Sequence, residues 1–334
     1  MIEKTCDVLG VGIAAVDDLL TVDKYPPANV KVPVLAATRH GGGPACTAMA
    51  AVAALGGRAV FVARLGEDEL SLHIRRILAA RGVNLSYMIS DPAGRPYHSR
   101  IVIDRSTGER TIFYDNRFFE SISAADLPDG LLAASRVLLL DFLCEPAPVD
   151  LAKKARHAGV PVIIDMEGRS PHAAQLLEQV DHLVAPEEFA QWFTGERDLF
   201  AACARLAKKK RAATVVTAGA AGCWWTDSPD RPPTHLPAFP VEAVDTTGCG
   251  DTYHGAYALA IARGFCVPQA VLFAAACGAL KACGRGGGWD ALPTSRQVCE
   301  LLRQRLAADD PMREMIDKIE QANVVPIEKK VAQS

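Results

Sequence analysis

The chain has 334 residues, ten cysteines and a net charge of −3 at pH 7. The small negative charge excludes nucleic acid and anionic membranes as principal partners, because binding to either needs an excess of basic residues. The cysteines form no Cys-x-x-Cys pair, which argues against a zinc site or a disulfide framework. With no long apolar window and no secretory signal, we expect a cytoplasmic protein made of one α/β domain over residues 1–334.

The first predicted element is a buried strand over Cys6–Gly12. A Gly-x-Gly-x-x-Ala pattern beginning at Gly10 matches a dinucleotide-binding fingerprint, which requires a full helix after the glycines. Pro26 and Pro27 come before such a helix could form, so we disfavour a nicotinamide cofactor. Asp17 follows the strand, and its spacing suits a substrate ligand or a surface turn equally well.

Two segments, approximately 18–40 and 96–117, predict small strands that stand outside the main core. Prolines divide the first segment into short β-favouring pieces between Val22 and Thr38. The second segment predicts a hairpin with strands Ser99–Asp104 and Arg110–Tyr114.

Between these segments, three glycines at Gly41–Gly43 lead into a helix of small residues, and a strand over Ala59–Ala63 follows. Glycines before a helix permit a hinge and a close approach of the backbone to a ligand. A helix packed tightly on a sheet would explain the alanine-rich composition equally well.

From Arg136 onward, predicted strands and helices alternate. Continuous apolar strands with intervening helices predict a parallel sheet covered on both faces, with ligands at the carboxyl ends of the strands. The predicted strands are Val137–Asp141, Pro161–Asp165, His182–Ala185 and Thr214–Thr217, and the predicted helices are Val149–Ala158, Pro171–Val180, Pro186–Thr194 and Asp198–Lys209.

Glu187 and Glu188 open one of these helices, where acidic residues complement the positive end of the helix dipole. Gly219 and Gly222 follow the last strand and by themselves indicate only a turn. Further along, Pro268–Cys283 and Thr294–Ala307 predict helices, and we expect the charged tail 309–334 to be a solvated helix or coil.

The stretch Val244–Ala256 combines two glycines with the start of a helical run. Free amides at Gly248 and Gly250 would face an anion, which the helix dipole favours. Asp251 comes next, and in that positive environment we expect its carboxylate to be ionised and able to accept a proton. Amides that hold charge and a base for a hydroxyl are what a phosphoryl transferase needs, although capping is the commoner role of an isolated Gly-x-Gly-Asp.

The loop Asp245–Thr252, Asp-Thr-Thr-Gly-Cys-Gly-Asp-Thr, resembles the carboxyl-terminal signature of the ribokinase-like carbohydrate kinases, the PfkB family. The ordered match of Gly41–Gly43, helix and strand resembles a second signature of that family. The motif Gly-Gly-Gly-Pro-Ala and the segment Arg110–Asn116 most resemble the corresponding motifs of the branch that contains ketohexokinase and sulfofructose kinase. The resemblance implies a three-layer α/β/α sandwich with a mostly parallel central sheet and a small β-sheet lid.

The resemblance also implies ATP-dependent phosphorylation of a hydroxyl on a small carbohydrate, with a ketose-type sugar favoured. It implies Mg²⁺ and, in some members, a monovalent cation such as K⁺, and it implies a homodimer formed through the lid. Asp251 would be the general base, and the amides of Gly248, Cys249 and Gly250 would form the anion hole.

Further roles follow from the same resemblance. The residues expected to bind the sugar are Asp17, Gly42, Gly43, Thr47, Asn116 and Asp251. The residues expected to bind the nucleotide are Thr217, Gly219, Gly222, Thr247, Gly248, Gly250, Cys277 and Lys281. A contact to magnesium through water is expected of Glu187 and Glu188.

Two alternatives stay open from the sequence. A nucleoside kinase of adenosine-like substrates would share the fold, and aromatic residues could supply a platform for the base, namely Phe113, Tyr114, Phe118 and Phe119. A sugar-sensing relative without catalysis would also share the fold, but the intact Asp251 and its glycine loop argue against this alternative.

Overall fold

A sheet of eight strands forms the centre of the structure, a computed structural model that describes residues 3–141, 147–209, 211–284 and 288–323. A smaller sheet of four strands and a two-stranded pair accompany it. In chain order the strands are β1 (Cys6–Val11), β2 (Ala15–Val22), β3 (Ala36–Gly42), β4 (Ala59–Val62), β5 (Arg64–Leu65), β6 (Ile89–Ser90), β7 (Tyr97–Asp104), β8 (Arg110–Asp115), β9 (Ser135–Asp141), β10 (Val162–Asp165), β11 (His182–Pro186), β12 (Ala213–Thr217), β13 (Cys223–Thr226) and β14 (Thr234–Leu236).

The helices surround the central sheet, and none in the described ranges is long and apolar enough to cross a bilayer. In chain order they are α1 (Pro44–Ala54), α2 (Glu69–Ala80), α3 (Leu131–Ala134), α4 (Ala147–His157), α5 (Ala173–Leu177), α6 (Glu187–Thr194), α7 (Leu199–Ala207), α8 (Cys249–Ala262), α9 (Val267–Cys283), α10 (Ser295–Arg305) and α11 (Glu314–Asn323).

The strand order of the central sheet is β14-β13-β12-β11-β10-β9-β1-β4. The six strands β12, β11, β10, β9, β1 and β4 run parallel to one another. At the other edge, β13 and β14 pair antiparallel. The carboxyl ends of the parallel strands therefore lie along one edge of the sheet, which is where ligands bind in such folds.

Successive residues of the parallel strands point into two separate apolar layers. On β1, Val8 packs with the layer that contains α1, α8 and α9, and Leu9 packs with the layer that contains α4, α5 and α7. This alternation follows from the two-residue period of a strand. It makes the protein a three-layer α/β/α sandwich and confirms the fold class expected from the sequence.

Helices α1 and α8 approach each other closely at a glycine. A Cβ on Gly255 would collide with the backbone carbonyl oxygen of Ala48. Because only glycine fits there, the two helices can pack closely side by side. Their first turns lie together, since Thr47 Cγ2 of α1 is 3.5 Å from a Cβ placed on Gly248.

The dinucleotide-binding alternative at Gly10–Gly12, which the sequence already disfavours, lacks the helix that it requires. The chain leaves β1 and enters β2 within a few residues, so no helix follows the glycines. A dinucleotide fingerprint needs the amino terminus of a helix at that point to receive the pyrophosphate.

The four-stranded sheet has the order β3-β2-β7-β8, in which β2 and β7 are parallel and the other two pairs are antiparallel. It contains the predicted hairpin of β7 and β8. The short strands expected between Val22 and Thr38 are reduced to the beginning of β3 at Ala36. Three prolines between those points supply no amide hydrogen for a strand ladder.

The tail beyond residue 309 is not simply solvated, as the sequence analysis expects it to be. Helix α11 buries Met315, Ile316 and Ile319 in the apolar layer of α8 and α9. Arg303 of α10 also forms an ion pair with Glu320, with 2.6 Å between the nitrogen and the oxygen. The tail beyond residue 323 lies outside the described residues.

Candidate active site

Two carboxylates mark the carboxyl edge of the parallel sheet. Asp141 is the last residue of β9 and Asp165 is the last residue of β10, and the two residues pair in register. Both are about 1% exposed. The amino terminus of α8, which carries Asp251, lies at the same edge, because carboxylate oxygens of Asp251 and Asp165 lie within 4.8 Å of each other.

The loop before α8 is held in a defined shape by backbone bonds. The amides of Val244 and Asp245 donate to the carbonyl of Ala282 in the last turn of α9, at 2.7 and 3.1 Å. The Asp245 carboxylate accepts a bond from the Thr247 amide at 2.8 Å. Gly248 then adopts a left-handed conformation with φ of 73°, which glycine tolerates best, and α8 begins at the next residue.

The three amides predicted for the anion hole are not equivalent. The Cys249 amide donates to the Thr246 carbonyl at 3.2 Å. Within the described residues, the amides of Gly248 and Gly250 have no acceptor. These two N–H groups at a helix start are therefore the ones available to an anion.

The Asp251 carboxylate is partly buried, and its pKa is raised well above the ordinary value. Burial is the largest cause, followed by the negative charges of Glu167, Asp141 and Asp17, while Lys281 opposes them. The sequence analysis expected the helix start to keep this group ionised, but burial and three neighbouring carboxylates outweigh the helix dipole. A carboxylate with a raised pKa is a stronger base once it is deprotonated.

Asp17 lies on β2 and reaches the same group of charges. A Cβ on Gly42 would collide with its carboxylate oxygen Oδ2, so glycine at this position leaves room for the side chain. Gly43 has φ of 90°, and a Cβ there would strike the carbonyl oxygen of Ile13. Burial raises the pKa of Asp17, while a hydrogen bond to Ser99 opposes the shift.

Sequence reasoning missed the role of Asp141. Its Oδ2 atom accepts bonds from the amides of Ile13 at 2.7 Å and Ala45 at 3.3 Å, which joins the end of β1 to the start of α1. A Cβ on Gly12 would overlap this carboxylate. Asp141 thus positions the glycine segment, and the available signal was its place at the end of a predicted parallel strand.

Sequence reasoning also missed a group of three carboxylates, Asp165, Glu167 and Asp251, whose oxygens lie within 4.8 Å of one another. Within the described residues neither oxygen of Asp165 has a hydrogen-bond partner. The Nδ1 atom of His254 lies 3.2 Å from its Oδ2 atom, and burial lowers the pKa of that imidazole to about 4. Burial and the charges of Glu167 and Asp251 raise the pKa of Asp165. Clustered carboxylate oxygens of this kind suit a hard divalent cation such as Mg²⁺.

The predicted metal residues Glu187 and Glu188 lie outside this group of three. Both are in the first turn of α6, with Glu187 partly buried and Glu188 exposed. Burial is the largest cause of the raised pKa of Glu167, and the negative charges of Asp141 and then Glu188 add to it, so Glu188 lies within electrostatic reach of this group. A water-mediated role for Glu187 and Glu188 stays a prediction.

Two predicted sugar residues have side chains that already have partners. The Thr47 side chain is 3% exposed, and its hydroxyl accepts a bond from the Trp289 indole N–H at 3.0 Å. The Asn116 amide is exposed and donates to the Tyr97 hydroxyl at 3.4 Å. Thr47 therefore contributes its methyl group rather than its hydroxyl to the space above Gly248, where Cγ2 lies 3.5 Å from a Cβ placed on that glycine.

The predicted nucleotide residues fall into two groups. Thr217 ends β12, and Gly219 and Gly222 form the turn after it, with φ of 49° and 90°. A Cβ on Gly222 would strike the carbonyl oxygen of Leu236, which requires glycine there. By contrast, Cys277 is fully buried in the core and offers no surface to a nucleotide.

Thr247 links the loop to the small sheet. Its hydroxyl accepts a bond from the Arg110 guanidinium of β8 at 2.7 Å. This bond spans 137 residues of sequence and connects the small sheet to the residues that precede α8.

Comparison with known proteins agrees with this architecture. The family model described as pfkB family carbohydrate kinase matches residues 7–294. The chain is 27% identical to ribokinase from Bacillus subtilis (strain 168) over 297 residues, which are 87% of this chain and 98% of the relative. It is 29% identical to fructokinase-1 from Oryza sativa subsp. japonica over 305 residues, covering 83% and 90% of the two chains.

A solved structure shows the same relationship in three dimensions. Arabidopsis thaliana ribokinase complexed with ribose and ATP superimposes with a TM-score of 0.78 at 26% identity, covering 91% of this chain and 99% of the other. These matches define the class as ribokinase-like phosphotransferases that use an alcohol group as acceptor. The chain belongs to the PfkB family of carbohydrate kinases.

Proposed function

We propose that the protein transfers the γ-phosphoryl group of ATP to a hydroxyl of a small carbohydrate, with a ketose-type sugar favoured. The observation that carries this proposal is the placement of Asp251 beside the free amides of Gly248 and Gly250 and within electrostatic reach of Asp17. Relatives named ribokinase and fructokinase, and the ribose and ATP bound in the Arabidopsis structure, support the proposal.

In the proposed reaction, Asp17 and the backbone of Gly42 and Gly43 hold the sugar. Asp251 takes the proton of the attacking hydroxyl, whose oxygen then bonds to the γ-phosphorus as the bond to the bridging oxygen of ADP breaks. The free amides at the start of α8 stabilise the charge on the transferred group. Positioning and charge stabilisation supply most of the catalysis in such reactions.

The donor set of Asp165 and Glu167 fits Mg²⁺ at this edge of the sheet, next to Asp251. Bound there, the ion would neutralise charge on the nucleotide phosphates. On the family resemblance alone, the proposal also includes a potassium ion near the end of α9, which assays in potassium and in tetramethylammonium salts would test.

A substrate panel tests the proposal. Purified protein with ATP and Mg²⁺ is offered ketoses, ribose and nucleosides, and formation of ADP and of the sugar phosphate is measured. We expect turnover with a ketose. Phosphorylation of nucleosides in preference to every sugar would instead support a nucleoside kinase, for which the exposed Phe113 and Tyr114 would supply the platform. No turnover with any member of the panel would overturn the proposal.

A further inference from the structure

Lys281 is buried without a partner. It lies near the end of α9 and is about 1% exposed, and its Nζ atom has no hydrogen-bond partner in the described residues. Among the described residues, no carboxylate oxygen lies within 4.0 Å of this ammonium. Burying an uncompensated ammonium is costly, because its hydration is lost and nothing replaces it.

The side chain is directed toward the start of α8. A Cβ placed on Gly248 would lie 4.0 Å from Lys281 Cε, 3.8 Å from Asp251 Oδ2 and 3.5 Å from Thr47 Cγ2. These three side chains converge on the space next to Gly248. Lys281 is therefore beside Gly248, whose amide is one of the two free amides of the proposed anion site.

The end of α9 cannot move freely relative to that loop. The two amides that donate to the Ala282 carbonyl belong to Val244 and Asp245, so the residue after Lys281 anchors the loop. The anchored backbone fixes the distance between Lys281 and Gly248, while the flexible stem of the lysine lets its ammonium reach toward a ligand.

Within the described residues, no group forms a hydrogen bond with the Lys281 ammonium. Its field counteracts the carboxylates around Asp251 and also lowers the pKa of the Cys249 thiol, although burial dominates there and raises that pKa to about 11. Asp251 lies close but does not pair with Lys281. A cation in this position can form a charge-assisted hydrogen bond with an incoming anion, which the residues around it do not form with it.

We propose that Lys281 is a further catalytic residue, which contacts the phosphoryl group during its transfer. The inference rests on the proposed kinase function. Asp251 removes the proton of the sugar hydroxyl and the phosphorus exchanges one oxygen partner for another, while Lys281 takes no part in that proton transfer. Lys281 supplies charge that backbone amides alone do not, and it acts on the γ-phosphoryl group and not on the adenine.

The first test compares two nucleotides. In Lys281→Met, which keeps the apolar stem, we expect the Kd of a β,γ-imido analogue of ATP to rise about tenfold while the Kd of ADP changes by less than about twofold. We expect kcat to fall by about 10²–10³-fold, as for loss of one donor to a developing charge. Titration calorimetry with Mg²⁺ and a coupled ADP assay give these values. Lys208→Met, which changes the exposed lysine that follows α7, is the matched control and should leave both unchanged.

The second test separates charge from packing. Lys281→Ala removes a fragment equivalent to propylammonium, so added propylammonium should restore part of the lost kcat, and propanol of the same size should not. Rescue by both compounds, or by neither, would assign Lys281 a packing role and overturn the inference.

The outcomes also distinguish this inference from the kinase proposal. If the wild type phosphorylates a sugar and Lys281→Met keeps kcat within about threefold, the lysine inference fails and the kinase function stands. If the wild type phosphorylates nothing yet binds the ATP analogue, the comparison of the two Kd values still tests Lys281. Equal weakening of the analogue and of ADP would overturn its role at the γ-phosphoryl group.

Discussion

Asp251 receives opposing electrostatic influences, and their balance decides when it can act as a base. The helix start favours the ionised form, whereas burial and three neighbouring carboxylates favour the neutral form. The second set prevails, so the pKa of Asp251 is raised. The group then binds its proton more tightly than an ordinary carboxylate does, which suits removal of a hydroxyl proton.

Replacing Asp251 by Asn should remove turnover and preserve the fold. The amide has nearly the same shape but cannot accept the hydroxyl proton, so kcat should fall by about 10²-fold or more. The Kd of an ATP analogue should change little, because the amides at the start of α8 are intact. Asp230→Asn, an exposed carboxylate in a distant turn, is the control. A variant at position 251 with near-normal kcat would remove Asp251 from the role of base.

The pH profile should report the carboxylates around Asp251. A base works only when it is deprotonated, so kcat/KM should fall as the pH drops through its raised pKa. Asp141→Asn removes one negative charge that raises this pKa, so the acid limb should move to lower pH. Asp150→Asn, whose side chain is 73% exposed, should leave the limb in place. An unmoved limb in Asp141→Asn would show that Asp141 does not influence the base.

At the scale of elements, the sequence predicted the parts that depend on local pattern. The strands that became β9 to β12 are continuous apolar runs, and their predicted bounds agree with the structure within about two residues. The loop before α8 was predictable because glycines, an aspartate and a helical run are adjacent in the chain. These signals require no knowledge of distant neighbours.

Features that depend on distant neighbours were not predictable. The Thr47 hydroxyl accepts a bond from the indole N–H of Trp289, which is 242 residues away. The raised pKa of Asp251 depends on carboxylates from other elements, Asp17, Asp141 and Glu167. Only the folded sheet brings these groups to one edge, although Asp141 and Asp165 were recognisable as the last residues of predicted strands.

The contact between α1 and α8 should be sensitive to a single methyl group. Gly255→Ala places a Cβ against the backbone oxygen of Ala48, which cannot rotate away, so the free energy of unfolding should fall by about 1–3 kcal/mol. Gly278→Ala in α9 is the matched control, because its Cβ would lie 3.6 Å from the nearest atom, an ordinary contact. That control should be neutral or stabilise the helix by up to about 1 kcal/mol. Denaturant titration compares the two, and equal stability would contradict the close approach of the helices.

At the scale of the whole molecule, the small sheet both contacts the loop before α8 and presents a free edge. Arg110 at the start of β8 bonds to Thr247 of that loop, so the sheet is coupled to it. Beyond Arg110, β8 pairs only with β7 in the described residues and exposes Ile112, Phe113 and Tyr114 by 47%, 53% and 65%. An apolar edge strand of this kind is prone to pair with another chain.

We expect a homodimer that buries this edge, and we expect a charge on it to produce monomers. Phe113→Glu places a carboxylate within the apolar run of β8, where dimerisation would have to desolvate it. Light scattering coupled to size exclusion should give the mass of two chains for the wild type and of one chain for the variant. Leu72→Glu, which changes an apolar side chain 56% exposed on α2, should stay dimeric. A monomeric wild type would contradict the expectation, and a dimeric Phe113→Glu would move the interface to another surface. Because β8 also carries Arg110, the monomer should have a higher KM for the sugar if pairing of the edges holds the small sheet over the site.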